Sequence, residues 1–319
     1  MKKALIICWF GPIPNYYKLW EYSCSLNSDY DFLLFTDQEL ISNYKNIKIV
    51  KIEMNELKRI IEDKLNVSLA FNKPYKFCDL RPAYGIIFDE YLKKYDYWGH
   101  CDLDQIFGKI SDFIPDELIS KYEKINHNGH FVLYKNSGKM NNMFKNEGSP
   151  FNWKEVFCSN ENYAFDEYSG INMICKNNNV LEYSSNEFAD IDKKYKRYKT
   201  VNHENRKNQI FVYENGDLSR YILIDNRIVK KDSFFYLHFQ KKIPIIIENT
   251  IFNKKVVIGS SMFGNEEMVE NDTFEKYNPS KNQMIEFIEL LSYYSKKTKE
   301  FFKFSKAMKK IKIKQKKSK

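Results

Sequence analysis

The stretch GHCDLDQIFGKI, residues 99–110, decides how this chain is read. Tyr95, Tyr97 and Trp98 precede it, and it closes on Ile106, Phe107 and Ile110, so both flanks are built for burial. Between them stand His100, Asp102 and Asp104. As a strand end, the period-2 alternation puts those three side chains on one face and Cys101 and Leu103 on the other. Two carboxylates two residues apart among core residues repel each other and are costly to bury as ions. A divalent cation relieves both costs, and oxygen ligands of this kind suit Mg²⁺ or Mn²⁺. An acidic turn closing a strand is the plainer alternative, because a lone D-x-D is a common pattern.

Upstream of that motif, apolar runs alternate with helical patterns. Residues 4–10 form a nearly continuous apolar run, as in a central parallel strand, and end in the turn signal GPIPN. Tyr16, Tyr17, Leu19 and Trp20 suggest a helix, DYDFLLFTD a second strand closing on Asp37, and NIKIVKI a third. A helix opened by Asn55 follows, with Leu57, Ile60, Ile61 and Leu65 at helical spacing. Next, Phe77, Leu80, Tyr84, Ile87, Phe88 and Tyr91 step by three and four, one stripe facing a core. Pro82 is tolerated there only in the first turn, so this helix is expected to start near Cys78 or Asp79. Lys76, Asp79 and Arg81 then crowd a helix N-terminus, where they suit either an anion site or a capped end with two surface cations. Strands alternating with helices and no early hairpin imply a parallel α/β sheet.

Downstream, SDFIPDELISKYEKI reads as a helix and GHFVLYKN as a strand. Asp166 and Glu167 lie in a polar, aromatic region and precede an apolar segment at Gly170, Ile171 and Met173. From residue 208 the pattern becomes antiparallel, with Asn215-Gly216 between two apolar runs as a hairpin signal. In SFFYLHFQKK, Phe235, Leu237 and Phe239 fill one strand face. His238 shares the other with Tyr236 and Gln240, and Lys241 and Lys242 follow. Ser280 and Gln283 form a capping box ahead of Met284, Phe287, Ile288 and Leu291.

At 319 residues the chain can bury a sizeable core, and no run of eighteen apolar residues exists to span a membrane. The N-terminal run is too short for a signal peptide and is read as a buried strand. The six cysteines include no C-x-x-C pair, which suits reduced thiols and a cytoplasmic location. The net charge of +9 is concentrated: residues 296–319 hold twelve lysines against Glu300 alone, leaving the preceding residues at −2. A near-neutral body argues against nucleic acid as a partner.

These motifs, in this order, resemble bacterial nucleotide-sugar glycosyltransferases of the GT-A fold, the kind that builds capsular and cell-surface polysaccharides. The resemblance spans roughly residues 1–250 by motif order. It implies an α/β fold: a Rossmann-like, mostly parallel central sheet, additional antiparallel strands and a basic helical tail, divided as 1–279 and 280–319. It further implies that Asp102 and Asp104 hold Mn²⁺ or Mg²⁺ on a nucleoside diphosphate sugar, with UDP as the expected nucleotide. His238 would be a third ligand. Lys76, Asp79 and Arg81, Lys241 or Lys242, and Asp37 near the nucleoside would contact the donor. Lys76, Asp79 and Arg81 are more tightly spaced than in many relatives, and QIFGKI departs from the best-known branches.

In such a reaction the ion and cations at Arg81 and Lys241 would offset charge growing on the leaving diphosphate. An inverting enzyme needs a base, for which Asp166 or Glu167 is the best candidate; a retaining one does not. The acceptor would be a saccharide or lipid-linked saccharide. A metal-dependent phosphohydrolase or nuclease would use the same cluster, although the chain has only five histidines and no paired H-x-D. A non-catalytic, membrane-recruited binding module is the third reading. In the tail, Phe301, Phe302, Phe304, Met308 and Ile311 stand among the lysines, as in an amphipathic helix on the anionic inner face of a membrane. A solubilising tail or a nucleic-acid-binding arm are the alternatives there.

Overall fold

The computed structural model describes residues 1–242 and 254–298 with their side chains, and the backbone of residues 246–247. Three strands form the parallel core the sequence leads one to expect: β1 (Lys3–Trp9), β2 (Tyr30–Thr36) and β3 (Ile47–Lys51). β4 (Tyr97–Cys101) is parallel to β1 on its other side. The rest of this mostly parallel sheet contains one reversed strand. After the three-residue β5 (Gln105–Phe107) come β6 (Lys124–Ile125) and β7 (Phe131–Lys135). β7 runs antiparallel to both β4 and β6, and β8 (Glu182–Tyr183) closes a seven-stranded mixed sheet of order β3-β2-β1-β4-β7-β6-β8.

Alternation along the strands feeds two cores. Leu5, Ile7, Phe32 and Leu34 pack with Leu19 and Trp20 of α1 (Tyr17–Ser25). Ala4, Ile6, Leu33 and Phe35 pack with Leu57, Ile61 and Leu65 of α2 (Met54–Leu65) and with Phe77, Leu80, Tyr84, Ile87 and Phe88. Both faces are covered, which is why the strands read as continuous apolar runs.

Four expectations need correction. The stripe over 77–91 is not one helix but a chain of single turns, 74–76, 77–80, 81–83, 84–87 and 89–92, broken where Pro82 cannot donate a hydrogen bond. Pro115 likewise splits residues 110–119 into two one-turn helices. β4 stops at Cys101, so the alternation does not carry through residue 104, and His100 is fully buried. The last described helix, residues 283–298, is capped by Asn282, whose side chain accepts from Met284 N at 2.9 Å; Ser280 is instead bonded to Glu275.

The hairpin at Asn215-Gly216 joins β10 (Gln209–Glu214), after the two-residue β9 (Ala189–Asp190), to β11 (Asp217–Ile224). Both turn residues have positive φ, +51° and +86°, as a two-residue loop of this type demands. A second such turn, Asp225-Asn226, leads into β12 (Arg227–Ser233). β13 (Tyr236–His238) then leaves this antiparallel layer to pair with β5 and β9, while β14 (Ile246–Ile247), β15 (Val256–Ile258) and β16 (Met262–Asn265) complete it. Phe211, Tyr213, Val256 and Phe263 seal this layer onto the α1 side of the main sheet. Among the described residues no helix is long and apolar enough to cross a membrane, and all six cysteines are unpaired thiols.

Candidate metal centre

The chain leaves β4 at Cys101, turns through residues 102–104 and returns as β5, and this turn is fastened on every side. Asp102 N donates to His130 O and to Gln105 Oε1, both at 3.1 Å. Phe239 N donates to Asp104 O at 2.9 Å, and Lys241 N to Asp104 Oδ2 at 2.7 Å. The latter bond is possible because Gln240 and Lys241 both adopt left-handed φ, +52° and +62°, folding the backbone back over the turn. The antiparallel pairing of β13 with β5 sets His238 opposite Gln105. His238 Nε2 then lies 3.6 Å from Asp102 Oδ2 and 3.5 Å from Asp104 Oδ1.

That spacing fits an ion. Ligands at about 2.1 Å from a divalent cation stand roughly 3.0–3.5 Å apart, with two carboxylate oxygens and an imidazole nitrogen as an acceptable donor set. Burial alone would lower the His238 pKa, but Asp104, Asp190 and Asp102 raise it to about 10. Burial opposes ionisation of Asp104 as well, and His238 with the Lys241 amide outweighs it, holding the carboxyl below its usual range.

Beside it sits Arg81, whose guanidinium bonds Asp102 Oδ1, Asp166 Oδ2 at 2.9 Å and Gly129 O at 2.7 Å. Burial pushes Asp166 up to about 7 against the pull of Arg81, and burial also raises Glu167. Gly170 allows this placement. A Cβ there would lie 2.0 Å from Phe165 O, so only glycine lets the chain double back after Asp166 and Glu167.

The other expected donor contacts divide. Lys76 and Asp79 are 2% and 0% exposed and bonded to each other at 2.7 Å. Lys76 also donates to Glu161 O, while Asp79 accepts from Tyr163 N at 3.0 Å and Phe165 N at 2.8 Å. In this structure the pair braces the loop that carries Asp166 instead of facing the cluster. Asp37 follows β2 at the carboxyl edge of the parallel strands, the same edge as Asp102, and accepts from Gly11 N at 3.1 Å. Lys241 holds its ammonium 3.8 Å from the centre of the Tyr75 ring. Lys242 turns away to Asp192 O at 2.9 Å and to Tyr195 O, and burial lowers its pKa to about 8.

Sequence reasoning missed Asp190 and His130. Asp190 Oδ1 lies 2.9 Å from His238 Nδ1, and the His130 ring lies 4.4 Å from that of His238, tilted by 33°. His130, opening the strand pattern of GHFVLYKN, was a visible signal; Asp190, in a two-residue strand, offered none.

Residues 5–267 match the family described as "Family of unknown function (DUF6625)". The chain belongs to that family. No curated protein matches the sequence. Among solved structures, that of galactosyltransferase LgtC in complex with donor and acceptor sugar analogs resembles 59% of this chain and 75% of its own length. Identity is 10% and the TM-score 0.33, a likeness too slight to bear on what this family member does.

Proposed function

We propose that this chain is a metal-dependent glycosyltransferase that moves a sugar from a nucleoside diphosphate donor, expected to be a UDP-sugar, to a saccharide or lipid-linked saccharide in surface polysaccharide assembly. The observation that carries the reading is the convergence of Asp102, Asp104 and His238 Nε2 at ion-binding spacing, just beyond the carboxyl end of a parallel strand. Open α/β sheets bind their ligands at that edge.

In this reading Asp102, Asp104 and His238 hold Mn²⁺ or Mg²⁺, which would offset charge on the departing diphosphate. Arg81, fixed by Asp102, Asp166 and Gly129, brings a guanidinium to the same edge at no cost of ordering. Lys241, resting over exposed Tyr75, is free to turn its ammonium to a phosphate oxygen. The bond from the sugar carbon to the diphosphate oxygen breaks as the acceptor oxygen bonds to that carbon. Asp166, with its pKa about 7, is matched to take the acceptor proton near neutrality, and Glu167 is the neighbouring alternative. A retaining course would leave both to hold acceptor hydroxyls.

The helix over 283–298 supports a peripheral membrane placement. Its acidic edge is tied down, Glu286 to Lys199 at 2.6 Å and Glu289 to Lys281 at 2.6 Å and Lys196 N at 3.0 Å. Met284, Phe287, Ile288 and Leu291 are left more than half exposed. The lysine-rich residues 299–319 that follow it in the sequence, with Phe301 to Ile311 of the expected stripe, lie outside the described residues.

Calorimetric titration of UDP with and without Mn²⁺ tests the metal reading. Asp102→Asn and Asp104→Asn are expected to abolish the Mn²⁺-dependent part while leaving the fold intact; undiminished binding in both overturns it. Donor cleavage that accelerates when a saccharide acceptor is added separates transfer from hydrolysis.

A further inference from the structure

Two triads of potential ligands share His238: Asp102 and Asp104 on one side, Asp190 and His130 on the other. An imidazole has one nitrogen for each, and the two environments are unlike. On the Nε2 side the carboxylate oxygens stand off at 3.5 and 3.6 Å, with room for an ion between. On the Nδ1 side Asp190 Oδ1 is in direct hydrogen-bond contact at 2.9 Å. That carboxylate is itself fixed, since Gln240 Nε2 donates to both its oxygens at 2.8 and 3.0 Å. Its backbone is held by the pairing of β9 with β13 and by Asn202 Oδ1, which accepts from Asp190 N at 3.2 Å. His130 is occupied too, its Nδ1 sharing a 2.7 Å hydrogen bond with the Tyr236 hydroxyl. The second triad is therefore a closed hydrogen-bonded array, not an ion site.

We propose that Asp190 is a positioning residue: its carboxylate keeps the proton of His238 on Nδ1 and so presents the Nε2 lone pair to an ion between Asp102 and Asp104. A carboxylate only accepts, so the nitrogen facing it carries the hydrogen, and the ring is locked in both tautomer and rotation. Partners of this kind typically contribute 10–100-fold to metal affinity. The inference rests on the reading of Asp102, Asp104 and His238 as the metal site.

Mn²⁺ titration of the full chain, followed by the ion's paramagnetic resonance signal, is the test, with Asp102→Asn as control. Asp190→Ala is expected to weaken Mn²⁺ by about 10–100-fold per folded molecule. Asp190→Asn, whose side-chain oxygen still accepts from Nδ1, is expected to recover most of that loss. Nitrogen-15 spectra of histidine-labelled protein with Mg²⁺ should show His238 protonated on Nδ1 in the wild type and in Asp190→Asn. A wild type that binds no Mn²⁺ overturns the metal reading itself. Normal wild-type binding that Asp190→Ala leaves unchanged overturns the role of Asp190 alone. If Asp190→Ala does not fold, the wild-type spectrum decides, and a His238 protonated on Nε2 overturns the proposal.

Discussion

Replacing Asp79 by alanine separates a bracing residue from a donor-binding one. Asp79 is 0% exposed and accepts from the Lys76 ammonium and the Tyr163 and Phe165 amides. The substitution leaves Lys76, 2% exposed, without its carboxylate, and two amides without an acceptor. Breaking one side of a buried ion pair costs about 3–5 kcal/mol, and the orphaned amides place the variant toward the upper end. At roughly 2 °C per kcal/mol for a chain of this size, Tm should fall by about 6–10 °C. Lys76→Met should be similarly harmful by itself, whereas the double variant recovers much of the loss because no charge is left unpaired. Urea unfolding of wild type and the three variants, followed by tyrosine and tryptophan fluorescence, gives all four corners of the cycle. An Asp79→Ala protein within 1 kcal/mol of wild type that has lost Mn²⁺-dependent UDP binding would refute the argument and make Asp79 a donor contact.

Asp166 sets a pH dependence whose sign follows from its raised pKa. Between the usual carboxyl value of 3.8 and about 7 the folded state binds the extra proton, so its contribution to stability is lost as pH rises through that window. Asp166→Asn should therefore gain on wild type from pH 4 to pH 7 in metal-free urea titrations and keep a constant difference above; a flat difference refutes the shift. For the C-terminal segment, co-sedimentation with anionic vesicles is expected for the full chain and lost at high salt or on truncation after Tyr294. Equal sedimentation of the truncated chain would remove residues 295–319 from the anchor. Sedimentation with neutral vesicles as well would point to the exposed apolar face of helix 283–298 alone.

The sequence by itself determined the mostly parallel sheet and the hairpin at Asn215-Gly216, and it displayed the acidic pair after β4 and a histidine in an aromatic strand as separate features. These are local signals: apolar runs, positive-φ turn residues, and side chains whose period or spacing is written along a single segment. Pro82 and Pro115 were equally legible as residues, yet their effect was underestimated, because an apolar stripe at helical spacing is kept by successive single turns as well as by one helix. What only the tertiary structure decided is long-range. β7 reverses direction beside β4, β13 leaves its own layer to bring His238 to Asp102 and Asp104, and Asp79 reaches more than eighty residues ahead to hold the loop before Asp166. Asp190 is the clearest case. Nothing in the sequence around it marks it, because its partner is chosen by the β9–β13 pairing, and a hydrogen bond between residues 48 apart leaves no periodicity to read.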